Sequence, residues 1–285
     1  MTQADLNFIN TCKQILEEGE SSLGTNVRTR WADGTEAHYI SLIGVQNKYD
    51  LSKEFPMLTI RNNNAQVIKA IDEVLWIWQK KSNNINDLDS KIWDQWADEN
   101  GSIGKAYGYQ LGKKYKFKVA GKLQEMDQVD YVLYLLNNDS ASRRIMTNIF
   151  NHEELKDMAL EPCVYGTQWI AKNGKLNLIL SQRSQDMLAA NGWNTMQYAA
   201  LVHMFAKVAG LKPGILTHNI GDCHIYDRHV KQIKKLISAK GVDCTPKLII
   251  GRDVKNFYDF KITDFKIEGY DYDKEIKIGR IEIAN

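Results

Sequence analysis

Apolar side chains recur at helical spacing through residues 67–81, where Val67, Ile71, Val74, Leu75 and Trp78 fall on one broad face. The spacing predicts a helix there. Residues 195–209 predict a second helix, with Asn194 as N-cap and Gly210 at its C-terminal end. Its low polarity implies burial on most sides. Residues 228–239 read as a surface helix with Val230, Ile233 and Ile237 inward, and the stretch before Thr25 as an amphipathic helix. Gln168 to Leu180 reads as strand, Asn173-Gly174, strand, since Asn-Gly suits the positive φ angles of a type I′ hairpin turn. Residues 260–267 and 276–283 alternate polar and apolar positions and predict two further strands, the second with a bulge at Gly279. Long helices among antiparallel or mixed strands indicate an α+β fold.

Composition narrows this picture. Across 285 residues, 37 basic side chains oppose 35 acidic ones, giving a net charge of +2. A general nucleic-acid binder would show a basic excess, so nucleic acid is not expected as the main ligand. The apolar fraction of 44% excludes a mostly disordered chain. No run approaches the ~20 apolar residues of a membrane helix, and the first residues lack the pattern of a signal peptide. Four cysteines are too sparse for a disulfide framework. We expect a cytoplasmic protein with reduced thiols, folded as one domain over residues 1–285, because none of the four prolines marks a linker.

Several residues carry potential chemistry. Cys163 follows Pro162, whose fixed φ makes a rigid mount for a nucleophile; a plain buried thiol is the alternative. Arg143-Arg144 and Arg183 are suited to phosphate, because a guanidinium bonds two oxygens at once, although an arginine pair is also an ordinary surface feature. On an extended segment Asp222, His224 and Tyr226 share one side and can line a polar pocket. Glu73 interrupts an apolar helix face; if buried, its raised pKa suits proton transfer, and if turned outward it is merely solvated. No second Cys/His pair completes a zinc site, and neither a P-loop nor a GxGxxG occurs.

Taken together, these segments resemble the thymidylate synthase family. The resemblance rests on Glu161-Pro162-Cys163, on Gln182-Arg183-Ser184-Gln185-Asp186, and on Gly221-Asp222-Cys223-His224-Ile225-Tyr226. Glu73-Val74-Leu75-Trp76, Ile92 to Gly101, Ala106-Tyr107-Gly108 and Ser142-Arg143-Arg144 agree with it, as do Phe257 to Phe260 and Ile267 to Tyr270, in the family's order from about residue 26 onward. It implies a three-layer α+β fold around a large mixed sheet, and a homodimer. It also implies reductive methylation of dUMP by 5,10-methylenetetrahydrofolate, without a metal. Cys163 would add to C6 of the pyrimidine. Arg28, Arg183 and Ser184, with Arg143 and Arg144 of the other subunit, would hold the phosphate. Asn194 would read the uracil O4 and N3–H edge, and His224 and Tyr226 the ribose, with Gln182 and Asp222 also on the substrate side. Glu73 would run a proton-relay network with help from Tyr107. Asp186, Trp93, Trp96 and the C-terminal Ala284 would meet the folate.

The chain departs from the family pattern near the folate. Thr59-Ile60-Arg61-Asn62 stands where a Thr-Thr-Lys-Arg/Lys segment is usual, Trp193 precedes the base-reading Asn194, Val164 follows the nucleophile, and the chain ends Ile283-Ala284-Asn285. If water captured the exocyclic methylene before hydride did, the product would be 5-hydroxymethyl-dUMP. A dUMP hydroxymethylase is therefore the alternative expectation. A silent nucleotide- or RNA-binding relative is a more distant one.

Overall fold

The computed structural model describes residues 1–284. Helix α1 (Gln3–Glu18) opens on a capping box, in which Thr2 and Asp5 exchange side-chain-to-backbone hydrogen bonds. A two-residue β1 (Glu20–Ser21) and the long β2 (Tyr39–Asp50) follow. Helix α2 (Asn64–Leu75) runs directly into one π-helical turn, Trp76–Lys80, so the predicted 67–81 helix begins earlier and changes hand-hold at its end. Next come α3 (Gly108–Gly112), the β3–β4 hairpin (Tyr115–Val119, Lys122–Met126), α4 (Gln128–Asn138) and β5 (Met146–Asn148). Strands β6 (Val164–Lys172) and β7 (Lys175–Asp186) form the expected hairpin, with Asn173 at φ 53° and Gly174 at φ 69° in its turn. Helix α5 (Asn191–Val208), β8 (Lys212–Tyr226), α6 (Val230–Ile237), β9 (Lys247–Ile250) and β10 (Phe265–Glu268) complete the fold.

The main sheet has the order β1-β2-β8-β7-β6-β5. Only β7 and β8 pair in parallel; the other neighbours are antiparallel. The sheet is thus mixed, and the fold is α+β. Along β7 the side chains alternate, with Leu176, Leu178, Leu180 and Gln182 buried and Asn177, Ile179, Ser181 and Arg183 half-buried. Helix α5 packs on β7 and β8 from one side and on α2 from the other. That sandwiched position explains why it is apolar nearly all round.

Four sequence expectations need correction. Asn194 does not cap α5. The helix starts at Asn191, with Ala190 at the cap position, so Asn194 lies within the first turn. Within residues 260–267, Ile262–Asp264 form a 3-10 turn and only Phe265–Ile267 are strand, opening β10. Residues 276–283 form no strand. Their alternation is real, since Ile276, Ile278 and Ile281 face the core, but their carbonyls bond to α6 side chains instead of a ladder: Gln232 Nε2 donates to Ile278 O at 2.9 Å and Lys235 Nζ to Lys277 O at 2.7 Å. The helix expected at 228–239 shortens to α6, on which Ile233 and Leu236 are fully buried while Val230 and Ile237 are half-buried.

Candidate active site

The single parallel pair organises the site. Because β7 and β8 run the same way, their C-terminal ends lie side by side, with Ser184 opposite Asp222 and Asp186 opposite His224. The chain leaves β7, makes one tight turn and starts α5, so Asn194 lies above the same sheet edge. Antiparallel β6 enters from this edge, and Cys163 stands just before its first residue.

Cys163 is fixed by its backbone. Its N–H donates to the Tyr107 hydroxyl at 3.1 Å, and its carbonyl accepts the Arg183 N–H at 2.8 Å. The Arg183 guanidinium is pinned by Nε to Pro162 O at 3.0 Å and by Nη2 to Glu161 O at 2.9 Å. Burial pushes the Cys163 thiol up, whereas Arg183, the Tyr107 hydroxyl and Arg28 pull it down. Burial outweighs them, so the thiol of the free protein lies above its ordinary value. Tyr107 itself is buried at φ 43° and ψ −99°, a strained conformation for a residue with a Cβ. The next residue, Gly108, lets the chain pass close to its neighbour: a Cβ there would sit 2.3 Å from Ser82 O.

Glu73 is 6% exposed and points into the molecule, not outward. Three N–H donors converge on its carboxylate: Trp93 Nε1 on Oε1 at 2.6 Å, and Trp193 Nε1 and Gln197 Nε2 on Oε2, each at 2.5 Å. Burial raises its pKa to about 7, against the opposing pull of the indole donors. A carboxyl poised there exchanges protons readily near neutral pH.

A chain of amides continues from Glu73. Asn194 Nδ2 donates to Gln197 Oε1 at 3.1 Å, and Gln182 Nε2 donates to Asn194 Oδ1 at 3.2 Å. Gln182 Nε2 also donates to Ser184 O at 2.8 Å, while its Oε1 lies 2.8 Å from His218 Nε2. Burial depresses the His218 pKa to about 3, so its ring is neutral.

On β8, His224 Nδ1 and Asp222 Oδ1 are 2.9 Å apart, and the His224 and Tyr226 rings are 4.9 Å apart, so these three side chains share one side as expected. Burial raises the Tyr226 pKa to about 12. Asp186 accepts the Leu188 and Ala189 N–H groups at 2.8 and 3.1 Å. Burial works against its charge, but the neighbouring His229, 3.5 Å away, with His224 and the Ala189 N–H, holds its carboxyl below the usual range. Trp93 is buried and Trp96 half-buried, with ring centroids 5.3 Å apart. Ala284 packs against the small cluster of Trp31, Ala37 and Tyr226. Asn285 lies outside the described residues. Among the described residues, no group of three or more His, Cys, Asp or Glu side chains is arranged to hold a metal ion, and no helix is long and apolar enough to cross a membrane.

Of the arginines, Arg183 and Arg28 act on Cys163 within the chain, whereas Arg143 and Arg144 sit exposed on the loop before β5. Arg61 is not a surface cation. It is buried and donates to Leu188 O at 2.8 Å. Sequence reasoning missed Gln197 and His218, and it named Trp193 only as a bulky departure. Gln197 was within reach, since a residue three places after Asn194 shares its helix face. His218 had no local signal.

A sequence model of the thymidylate synthase family matches residues 6–281. Thymidylate synthase 1 of Bacillus subtilis strain 168 is 46% identical over 274 residues, 95% of this chain and 96% of the relative. The thymidylate synthase of Bacillus phage phi3T is 44% identical over the same span. The structure of thermostable thymidylate synthase A from Bacillus subtilis superposes with a TM-score of 0.89, at 44% identity and 99% coverage of both chains. With matches along nearly its whole length, this chain belongs to the thymidylate synthase family.

Proposed function

We propose that this protein converts dUMP to dTMP with 5,10-methylenetetrahydrofolate as co-substrate. The observation that carries the reading is the seating of Cys163 between Arg183 and Tyr107, within one site that also holds Glu73 and Asn194. Arg28, Arg183 and Ser184 hold the dUMP phosphate, and the positive charge of Arg183 beside Cys163 favours the thiolate that attacks C6. Attack places the electron pair on C5, which takes up the one-carbon group. Asn194 has one Nδ2–H and one Oδ1 lone pair left for the uracil O4 and N3–H. Glu73, with Tyr107, accepts and relays the proton lost from C5. Bound folate supplies both the carbon and the hydride, leaving as dihydrofolate, and departure of the Cys163 sulfur from C6 restores the ring. Two features support that co-substrate: the Asp186 carboxylate has lone pairs beyond those used by the Leu188 and Ala189 N–H groups, and half-buried Trp96 packs beside Trp93 at the same site.

Two copies of the chain would share each site. Arg143 and Arg144 are exposed. The sheet face bearing Ile179 and Ser181 is half-buried, opposite the face on which α5 packs. Pairing of these faces would bring the arginine pair of one copy to the phosphate of the other. The same reading sets the enzyme in the cytoplasm, in keeping with four unpaired cysteines. The hydroxymethylase alternative is not favoured, since relatives at 44–46% identity are named thymidylate synthases.

One incubation with dUMP and methylenetetrahydrofolate tests the reading. Absorbance of dihydrofolate together with dTMP by mass is expected; 5-hydroxymethyl-dUMP without dihydrofolate would overturn it. With 5-fluoro-dUMP and the folate, a stable adduct should appear on the Cys163 peptide. Mixing inactive C163S with inactive R143A protein should restore activity if the sites are shared.

A further inference from the structure

We propose that Gln197 is a positioning residue that ties the base-reading amide of Asn194 to the carboxylate of Glu73, so that ring recognition and proton transfer use one hydrogen-bonded chain. This inference rests on the roles assigned above to Asn194 and Glu73, and it adds a residue to them.

The polarity of the chain is set at both ends by groups that have no choice. At one end the Ser184 carbonyl can only accept, so Gln182 must turn Nε2 toward it and Oε1 toward His218. The neutral His218 therefore carries its proton on Nε2. At the other end the indole N–H groups of Trp93 and Trp193 can only donate, which makes both Glu73 oxygens acceptors. Gln197 Nε2 then faces Glu73, and its Oε1 faces Asn194. Asn194 lies between the two glutamines. Its Oδ1 meets a donor from Gln182 and its Nδ2 meets an acceptor on Gln197. A flipped Asn194 would set donor against donor on one side and acceptor against acceptor on the other. The unflipped amide offers the base one donor and one acceptor in the order that suits uracil and not cytosine.

Gln197 thus does two things. It holds Asn194 in the uracil-reading orientation, and it gives Glu73 an N–H bond that favours the charged carboxylate. The titratable groups around Glu73 are Asp72 beside it on α2, Tyr107 before α3 and Tyr198 on α5. The two tyrosines are pushed up by burial and stay neutral, and the Asp72 charge opposes that of Glu73. None of them replaces the Gln197 donor.

The test measures dissociation constants of dUMP and dCMP, and the pH dependence of kcat with dUMP, for wild type, Asn194→Asp, Gln197→Met and Gln197→Glu. Asn194→Asp should shift binding toward dCMP; if it leaves the preference unchanged, the assigned role of Asn194 fails and this inference with it. Gln197→Met removes both contacts. It should lower the dUMP-over-dCMP preference about tenfold and move the acidic limb of kcat up by about one pH unit. Gln197→Glu keeps an acceptor for Asn194 but sets two carboxylates against each other, so they must share one proton. It should hold the preference near the wild-type value and raise the limb further. A merely structural side chain would change melting temperature and kcat without separating these readouts. If Asn194→Asp shifts the preference while Gln197→Met leaves both preference and limb as in wild type, the coupling is overturned. Should Gln197→Met not fold, an unmoved limb in Gln197→Glu overturns it equally.

Discussion

The indole N–H of Trp193 donates to Glu73 Oε2 at 2.5 Å, joining residues 120 positions apart. Trp193 thus supplies a donor that favours the charged form of the Glu73 carboxylate. Trp193→Phe keeps the ring and removes the N–H. The Glu73 pKa should rise above about 7, so less carboxylate remains at neutral pH. The acidic limb of kcat should move up by about one pH unit, with kcat at pH 7 falling several-fold and recovering at pH 8.5. A stopped pH–rate series checks this.

Glu73 also weighs on stability. Its folded pKa of about 7 lies above the ordinary carboxylate value of 4.5. Between these values the folded protein binds more protons than the unfolded chain, so stability falls as pH rises through that window. The penalty is absent below the unfolded value and complete above about pH 7, and it grows by roughly 2–3 kcal/mol between pH 5 and pH 8. Glu73→Gln should therefore gain stability relative to wild type between pH 5 and pH 8. Denaturant melts at the two pH values should show the variant-minus-wild-type difference growing by that amount.

His203 behaves oppositely. Burial lowers its pKa to about 4 from 6.5, and its ring packs edge-on against Phe55, with centroids 5.9 Å apart. Below pH 6.5 the unfolded chain takes up the proton that the folded protein refuses, so the neutral ring costs stability progressively as pH falls toward 4. His203→Leu should be more stable than wild type by about 2 kcal/mol more at pH 5 than at pH 8. Equal differences at both pH values would reject this assignment.

Arg228 holds three segments at the surface. Its guanidinium bonds Asp33 at 2.7 Å and Glu282 at 3.2 Å, and lies 4.9 Å from the Trp31 ring centre. As an exposed, solvent-screened pair network this contributes little to global stability. Its effect is local, because Glu282 is on the C-terminal strap and Asp33 is on the loop following Arg28. Arg228→Ala should raise hydrogen exchange over residues 276–284 and raise KM for the folate several-fold, while the melting temperature shifts by only a few degrees.

Helices α1, α2, α5 and α6, the β6–β7 hairpin with its Asn173-Gly174 turn and the burial of α5 were legible in the chain because they depend on local periodicity and turn stereochemistry. Cys163, Arg183, Glu73 and Asn194 were also nameable from short segments as candidates, and the structure brings them into one site. Residues 276–283 misled, because alternation reports which face is buried and says nothing of what accepts the backbone hydrogen bonds. Asn194 misled as a cap for a related reason: an Asn near a helix start usually serves the helix, but here Gln182 and Gln197 claim both ends of its amide. Trp93, the α5 residues Trp193 and Gln197, and beyond them Gln182 and His218 come from four stretches of the chain, and no local rule brings the first three onto the Glu73 carboxylate and the last two onto Asn194 and its partner. That placement follows from the single parallel pairing of β7 with β8 and the α5 crossover between them. Local chemistry chose the reactive groups; the long-range register of the sheet decided which of them touch, and through burial it moved Glu73 to neutrality.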